Sequence, residues 1–135
     1  MTVSEDVVVL WDDGKHKLKA LSVPSSAQYV YPYGTCITIG FSYENKLFKG
    51  YDHFAFFGKE YDKLIKLLES IDKTLDGQIC LYDVGGDTDG YIDITCKNGK
   101  LRISGRLGAT WSQFCLYFEF NSDQTFLKRL FSVLG

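Results

Sequence analysis

The sequence predicts an α+β fold: a mainly antiparallel β-sheet of about 6–8 strands with two amphipathic helices, at about residues 59–75 and 122–134. Three observations support this class. Several short segments alternate apolar with polar residues, a period of two that is typical of half-buried strands. Two longer segments repeat apolar residues at spacings of three and four, which is typical of helices that pack on one face. Turn signals between neighbouring strands favour antiparallel pairing.

Four strands are predicted in the N-terminal half. Val7–Trp11 and His16–Val23 flank the turn signal Asp12-Asp13-Gly14, because Asp and Gly tolerate the positive φ of tight hairpins. Thr35–Tyr43 alternates most clearly, with its Ile, Phe and Tyr residues on one face. Leu47–Phe57 follows a short polar turn and ends in an apolar run.

The first helix is predicted over Lys59–Leu75. Glu60 and Asp62 lie in its first turn, where the helix dipole favours acidic residues. Gly77 follows the helix and is predicted to cap its C-terminal end. The residues of its apolar stripe are Tyr61, Leu64, Ile65, Leu68, Ile71 and Leu75.

The C-terminal half predicts four more strands and the second helix. Asn98-Gly99 is a strong signal for a type I′ turn between two of these strands. Asn121 or Ser122 is predicted to cap the helix. The strands are Gln78–Tyr82, Tyr91–Cys96, Leu101–Leu107 and Phe114–Phe120, and the helix buries Phe126, Leu127, Leu130, Phe131 and Leu134. One sheet with both helices on one face would bury all of these apolar residues.

Length and composition limit the class of protein. A chain of 135 residues is typical of one domain, so residues 1–135 are expected to form a single domain. Hydrophobic residues make up 45%, which suffices for a core without disulfides or a metal ion. The formal net charge of −2 and the lack of a basic face argue against general nucleic-acid binding. Lys15, Lys17 and Lys19 alternate along one strand and are expected to form a solvated face.

No targeting segment is evident. Met1–Asp6 is polar and acidic and lacks the basic and apolar regions of a secretory signal. No apolar run reaches the roughly 18 residues needed to cross a bilayer. The protein is therefore expected to be cytoplasmic, with no membrane partner. In that reducing compartment the cysteines, which form no C-x-x-C pair, are expected to be small buried hydrophobic residues. They are Cys36, Cys80, Cys96 and Cys115.

No set of residues predicts catalysis. The two histidines, His16 and His53, do not occur with metal-ligand spacing. An enzyme in which Asp52 orients His53 as a base remains an alternative, although neighbouring strand residues point to opposite faces. No serine lies in a nucleophile elbow, and no glycine-rich segment has the context of a phosphate loop. The sequence therefore predicts no enzyme, no cofactor and no metal ion.

The loop Asp83–Gly90 is the best local candidate for a function. Asp83, Asp87, Asp89 and Asp93 place four carboxylates within eleven residues. Three interpretations stay open: an ordinary solvated hairpin loop, a patch for a cationic partner, and a calcium site. The loop copies part of a calcium-binding pattern but lacks its closing glutamate.

Aromatic residues make up 16% of the chain, more than a core needs. Tyrosine is favoured at interfaces because it buries much area at low entropic cost and keeps a polar tip. Tyr117 and Glu119 alternate with Phe118, so they are expected on an exposed face of the sheet, which can also be merely solvated. The aromatic residues concerned are Tyr29, Tyr31, Tyr33, Tyr43, Tyr51, Tyr82, Tyr91, Trp111 and Tyr117.

Short runs in the C-terminal half occur in a characteristic order. They are Gly90-Tyr91-Ile92-Asp93-Ile94, then Gly105-Arg106-Leu107-Gly108, then Leu116-Tyr117-Phe118-Glu119-Phe120, which leads into Asp123-Gln124-Thr125-Phe126-Leu127. Together with the preceding helix, this order resembles small bacterial immunity proteins of the WapI type, whose C-termini place an L-x-F-x-F strand before a D-Q-[ST]-x-L helix start. The resemblance covers roughly Phe54 to Leu134.

The resemblance implies a non-catalytic protein that binds and neutralises the toxin domain encoded beside it, as in contact-dependent growth inhibition. A nuclease-type toxin would present a basic cleft, so carboxylates on the inhibitor would speed the encounter. The residues expected to bind such a toxin are Asp83, Asp87, Asp89 and Tyr91, with Tyr117 and Glu119.

Other binding modes stay open. One alternative is a small-ligand or carbohydrate-binding module that uses the aromatic residues of Tyr29–Tyr33 and Trp111. In the first hypothesis the partner is a cognate toxin domain and not a nucleic acid. A monomer or a weak homodimer is expected, because an exposed edge strand can pair with its own copy.

Overall fold

A computed structural model of the protein describes residues 7–23 and 36–135. These residues form eight strands and two helices, which confirms the predicted α+β class. The strands are β1 (Val7–Asp12), β2 (Lys17–Val23), β3 (Cys36–Glu44), β4 (Lys49–Phe57), β5 (Asp76–Tyr82), β6 (Tyr91–Lys97), β7 (Lys100–Leu107) and β8 (Leu116–Asp123), and the helices are α1 (Gly58–Thr74) and α2 (Gln124–Leu134). The predictions for Met1–Asp6 and Tyr29–Tyr33 lie outside the described residues.

The strands form two four-stranded sheets, so the expectation of a single sheet is wrong. The first sheet has the order β1-β2-β3-β4 and the second has the order β5-β6-β7-β8. Within each sheet, strands that are neighbours in sequence pair antiparallel. Helix α1 carries the chain from one sheet to the other. Each sheet has one apolar face, and two such faces are buried when the sheets pack together.

Aromatic rings join the inner faces of the two sheets. The ring of Tyr43 on β3 stacks on Phe118 of β8, with the ring centroids 4.7 Å apart. Trp11 on β1 stacks on Phe120 of β8 at 6.5 Å. Tyr43 is almost fully buried, and its hydroxyl keeps a hydrogen bond of 2.6 Å with Nδ1 of His16, which avoids the cost of an unpaired polar group. The two sheets thus share one continuous core.

The helices pack against both sheets and against each other. α1 contacts β4 and β5, and α2 contacts β1, β2 and β8. The hydroxyl of Tyr61 on α1 donates to the carbonyl of Leu134 on α2 at 2.5 Å. The apolar stripes predicted for both helices supply all but one of their buried residues. The buried residues are Leu64, Leu68 and Ile71 on α1 and Phe126, Leu127, Leu130, Val133 and Leu134 on α2. Val133 lies outside the predicted stripe, and Phe131, which belongs to it, is only half-buried.

The predicted caps of both helices are wrong. Leu75, not Gly77, ends α1 in the left-handed conformation, with φ of 58°, and Gly77 belongs to β5. Because β8 continues through Asp123, neither Asn121 nor Ser122 can cap α2. The Asp123 side chain instead accepts the backbone N–H of Thr125 at 2.9 Å, as an N-cap residue does.

Other local predictions have mixed outcomes. Asn98 and Gly99 both adopt positive φ, as their turn requires. All four cysteines are free, but the expectation of burial holds only for Cys96, since Cys36 is half-buried and Cys80 and Cys115 are exposed. Phe114, predicted to begin a strand, precedes β8 and is exposed. Among the described residues, no helix is long and apolar enough to cross a membrane.

Replacing Tyr43 by alanine should lower the free energy of unfolding by about 3–5 kcal/mol, because the change leaves a cavity between the two sheets. Urea denaturation followed by fluorescence measures the loss. Tyr117→Ala is the control: its side chain is 65% exposed, so a change within about 0.5 kcal/mol is expected. An equal loss in the two variants would show that Tyr43 does not join the sheets.

Candidate functional site

One face of the second sheet is exposed across all four strands, and we call it the outer face. Along β5 to β8, buried residues alternate with residues that point outwards. Strand register places four outward residues side by side, and we call them the aromatic row. In order across the sheet they are Tyr82, Tyr91, Arg106 and Tyr117. Tyr82 and Tyr117, at the two ends of the row, are 45% and 65% exposed, so both ends reach solvent.

Arg106 is fixed at the centre of the aromatic row. Its guanidinium lies 5.3 Å from the ring centroid of Tyr91 and 5.8 Å from that of Tyr117, within the range of cation–π attraction. Nη2 forms an ion pair of 3.0 Å with Oδ1 of Asp89 and also donates to the carbonyl of Asp89. The side chain is only 11% exposed. Arg106 is therefore held in place before any partner binds.

A second row of polar residues runs beside the first. Register places Cys80, Asp93, Ser104 and Glu119 side by side. Glu119 is paired with Arg102, whose Nε and Nη2 both contact Oε1. Although Cys80 is exposed as a residue, protein atoms around its sulfur displace water, and this desolvation, reinforced by a hydrogen bond and charge from Asp93, raises the pKa of the Cys80 thiol to about 12. The thiol thus stays protonated near neutral pH and is a poor nucleophile.

Asp83 is buried at the start of the loop Asp83–Gly90, which we call the acidic loop. Its Oδ1 accepts the backbone N–H of Ala55 on β4 at 2.8 Å. Its Oδ2 accepts the N–H groups of Asp87 at 2.7 Å and Thr88 at 3.3 Å. Hydrogen bonds of this kind satisfy a carboxylate that is removed from water. The carboxylate of Asp83 therefore shapes the loop and does not face a partner.

Asp52 is a second buried carboxylate, on β4. Its Oδ1 accepts the backbone N–H of His53 at 2.8 Å. Its Oδ2 accepts the hydroxyl of Thr88 at 2.8 Å and the N–H of Gly108 at 2.9 Å. One side chain of the first sheet thus holds both the acidic loop and the segment that follows β7. Sequence alone suggested Asp52 only as a helper for the ring of His53, which points to the opposite face of β4.

Gly90 allows this close approach of the two sheets. A Cβ atom at this position would lie 2.2 Å from Oδ2 of Asp52 and 2.9 Å from the carbonyl oxygen of Arg106. The distance to Asp52 is far shorter than any normal contact, and the backbone carbonyl of Arg106 prevents a Cβ atom from moving away from it. Only glycine fits here without displacing Asp52 from its hydrogen bonds.

Asp89 links the acidic loop to the loop between β7 and β8. Its Oδ1 accepts the backbone N–H of Thr110 at 2.8 Å, and Oδ2 accepts the hydroxyl of the same residue. These two hydrogen bonds, together with the nearby Arg106, hold the pKa of Asp89 below its ordinary value of 3.8. The carboxylate is exposed but already committed to partners within the protein.

The structure brings most of the predicted partner-binding residues to one surface. Arg106 is the functional candidate that sequence reasoning missed, because its place between two tyrosines depends on strand register. The predicted residues at the surface, four exposed and Tyr91 half-buried, are Asp87, Asp89, Tyr91, Tyr117 and Glu119. Asp83 is the one predicted partner-binding residue that is buried in the protein.

The other predicted sites are more scattered. Of the aromatic group proposed to bind a small ligand, Tyr29–Tyr33 lies outside the described residues, and Trp111 is exposed in the loop before β8. The acidic loop does not form a calcium site, because the carboxylate oxygens of Asp83 and Asp89 accept hydrogen bonds from different donors of the protein. Within residues 7–23 and 36–135, no three His, Cys, Asp or Glu side chains are placed to hold a metal ion together.

Replacing Asp52 by alanine should lower the free energy of unfolding by about 1–3 kcal/mol, because the partly buried N–H of Gly108 and hydroxyl of Thr88 lose their acceptor. Hydrogen exchange of the Gly108 amide should become faster in the same variant. Asp87→Ala is the matched control, since the Asp87 side chain is exposed. Unchanged exchange at Gly108 in Asp52→Ala would contradict the proposed role of Asp52.

Asp89 should give a stability difference that depends on pH. Asp89 has a lower pKa in the folded protein than in the unfolded chain. At pH values above the unfolded-state pKa, its ionised carboxyl group therefore stabilises the folded protein. This contribution is lost as the pH falls through the folded-state pKa. Asp89→Asn should therefore be less stable than the wild type near neutral pH, and the difference should shrink below about pH 4. Urea denaturation across this pH range measures it. A difference that stays constant with pH would contradict the assignment.

The runs that resemble WapI-type immunity proteins fall in β6, β7, β8 and the start of α2. Two of their glycines, Gly90 and Gly108, contact Asp52. Comparison with protein-family models, with curated proteins and with solved structures finds no match for this chain. Membership of that family therefore stays a prediction.

Proposed function

We propose that this protein is an immunity protein, which binds a cognate nuclease-type toxin domain and neutralises it by covering the active site. The observation that supports this proposal best is the aromatic row. Three tyrosines and one fixed arginine lie on an exposed sheet face, next to an acidic loop. This surface is suited to hold another protein.

The aromatic row has the chemistry of a protein interface. Tyrosine and arginine are enriched among residues that dominate binding energy, usually near the centre of an interface. Here the ion pair with Asp89 and the two flanking rings already restrict Arg106. A partner would not have to order this side chain, so less conformational entropy would be lost on binding.

The charges around the row suit a basic partner. The outer face and the loop at its end carry six carboxylates against four cations, a small acidic excess. The carboxylates are those of Asp76, Asp87, Asp89, Asp93, Glu119 and Asp123, and the cations are those of Lys97, Lys100, Arg102 and Arg106. Asp87 is exposed at the tip of the loop. A nuclease cleft must attract the phosphates of a nucleic acid, so exposed carboxylates would be drawn to the same cleft. Such charges mainly speed association and select partners.

The proposal predicts that the gene immediately upstream encodes a secreted protein with a toxin domain at its C-terminus, and this domain is the ligand used in the test. Purified wild-type protein should bind this domain and block its nuclease activity at stoichiometric concentration. Absence of binding by the wild type would overturn the proposed function.

Tyr117→Ala should weaken this binding by about 30-fold, which corresponds to about 2 kcal/mol, because a central aromatic contact is lost. Calorimetric titration measures the dissociation constant. His53→Ala is the matched control, since it removes an exposed ring from the outer side of the first sheet. Equal affinities of Tyr117→Ala and the wild type would show that the interface lies outside the aromatic row.

Asp87→Lys should slow association several-fold at low ionic strength and leave dissociation nearly unchanged, because an exposed charge acts at long range. The difference should fade as salt is added, since salt screens such charges. Asp72→Lys on α1 changes the net charge equally, at an exposed site on a different element. Identical kinetics of these two variants would contradict the role of the acidic loop.

A further inference from the structure

The loop between β7 and β8 presents a tryptophan to solvent, and we call residues 108–115 the Trp loop. Trp111 is 68% exposed, whereas tryptophan is on average highly buried in folded proteins. The other tryptophan of the chain, Trp11, is half-buried and stacks on Phe120. Packing within the described residues therefore does not account for the large apolar ring at position 111.

The base of the Trp loop is closed by backbone contacts. The N–H of Gly108 donates to Oδ2 of Asp52 at 2.9 Å. A Cβ atom at Gly108 would lie 2.4 Å from the carbonyl oxygen of Phe114 and 3.0 Å from Cα of Cys115, so the two ends of the loop touch. Gly108 also has a φ of 96°, a conformation that glycine adopts at no steric cost. The loop thus begins and ends at a fixed point of the sandwich.

A tight turn holds the backbone around Trp111. The N–H of Ser112 donates to the carbonyl of Ala109 at 2.9 Å, which closes a β-turn with Thr110 and Trp111 at its centre. Asp89 accepts both the N–H and the hydroxyl of Thr110. Hydrogen bonds therefore hold the backbone on both sides of the indole. A partner would not have to order this turn, so less conformational entropy would be lost on binding.

Strand register places the Trp loop next to the aromatic row. Arg106 and Tyr117 of the row lie opposite each other on β7 and β8. Only the pair Leu107–Leu116 separates them from the loop. The acidic loop joins the two other members of the row and leaves the sheet at the same end. The two loops and the row are therefore neighbours on one part of the surface.

One carboxylate connects these three parts. Asp89 of the acidic loop forms an ion pair of 3.0 Å with Arg106 of the row and accepts the N–H of Thr110 at 2.8 Å. Thr110 directly precedes Trp111. The turn that presents the indole is thus tied to the same side chain that fixes the arginine of the row.

We infer that Trp111 is an anchor residue for the toxin domain and inserts into an apolar pocket at the edge of its basic cleft. This inference rests on the proposed function, in which the outer face binds that domain. Tryptophan is enriched among the residues that dominate binding energy, and such residues fill pockets of the partner. The pocket is expected beside basic side chains, because Asp89 and the exposed Asp87 bring negative charge to the same end of the sheet.

Trp111→Ala should weaken binding of the toxin domain by at least 30-fold, which corresponds to about 2 kcal/mol. Trp111→Phe keeps an aromatic ring and should lose less affinity. His53→Ala, which removes an exposed ring from the first sheet, is the control that should bind like the wild type. Calorimetric titration measures the dissociation constants, and circular dichroism shows whether each variant is folded.

Fluorine NMR of the chain labelled with fluorotryptophan reports burial of the indole directly. The chain has two tryptophans, so two signals are expected, and Trp111→Phe assigns them. The unlabelled toxin domain adds no signal. Its binding should shift the Trp111 signal and remove the response of that signal to heavy water, since the ring becomes shielded from solvent. The signal of Trp11, which stacks on Phe120, should change little.

The outcomes separate the anchor from the proposed function. A wild type that does not bind the toxin domain overturns both. A wild type that binds, with equal affinity of Trp111→Ala and an unmoved Trp111 signal, overturns only the anchor. Weaker binding of Trp111→Ala with an unmoved signal would mean that the residue acts through the loop, and a moved signal with equal affinity would place the indole at the rim of the interface. Either of these results also overturns the anchor.

Discussion

Two carboxylates buried at the edge of the first sheet determine the shape of the candidate interface. Asp52 and Asp83 each accept three hydrogen bonds, and their donors come from β4, the acidic loop and the segment after β7. A carboxylate without such donors is costly to remove from water. The loop must therefore adopt the one conformation that supplies them, and the glycine at position 90 makes room for it.

This constraint divides the acidic residues into two groups with different physical roles. Asp52 and Asp83 are structural, and Asp89 serves mainly to hold Arg106 and Thr110 in place. Asp87 is left at the surface, where its charge acts at long range. A surface that looks like a uniform acidic patch in the sequence is thus an aromatic row around a fixed arginine, with exposed carboxylates of different roles beside it. Rigid side chains lose little entropy on binding, which favours recognition of a protein.

Local patterns in the sequence predicted the elements well, because the signals for them lie within a few residues. Asn98-Gly99 is an example, since its turn depends only on the ability of those two residues to adopt positive φ. The division into two sheets was not predictable in this way, because alternation shows which face is apolar but not what packs on it. The burial of Asp83 depends on the N–H of Ala55, 28 residues earlier, and Arg106 gains its position only from strand register.

The order of pairing has a consequence for how the surface arises. Every strand pair in the described residues joins neighbours in sequence, so each sheet needs only short loop closures to form. The hydrogen bonds of Asp52 are different, since they span 36 residues to Thr88 and 56 to Gly108. These two long-range hydrogen bonds require the first and second sheets to have packed together. A chain that has completed its hairpins but not this last assembly step still lacks the shaped acidic loop.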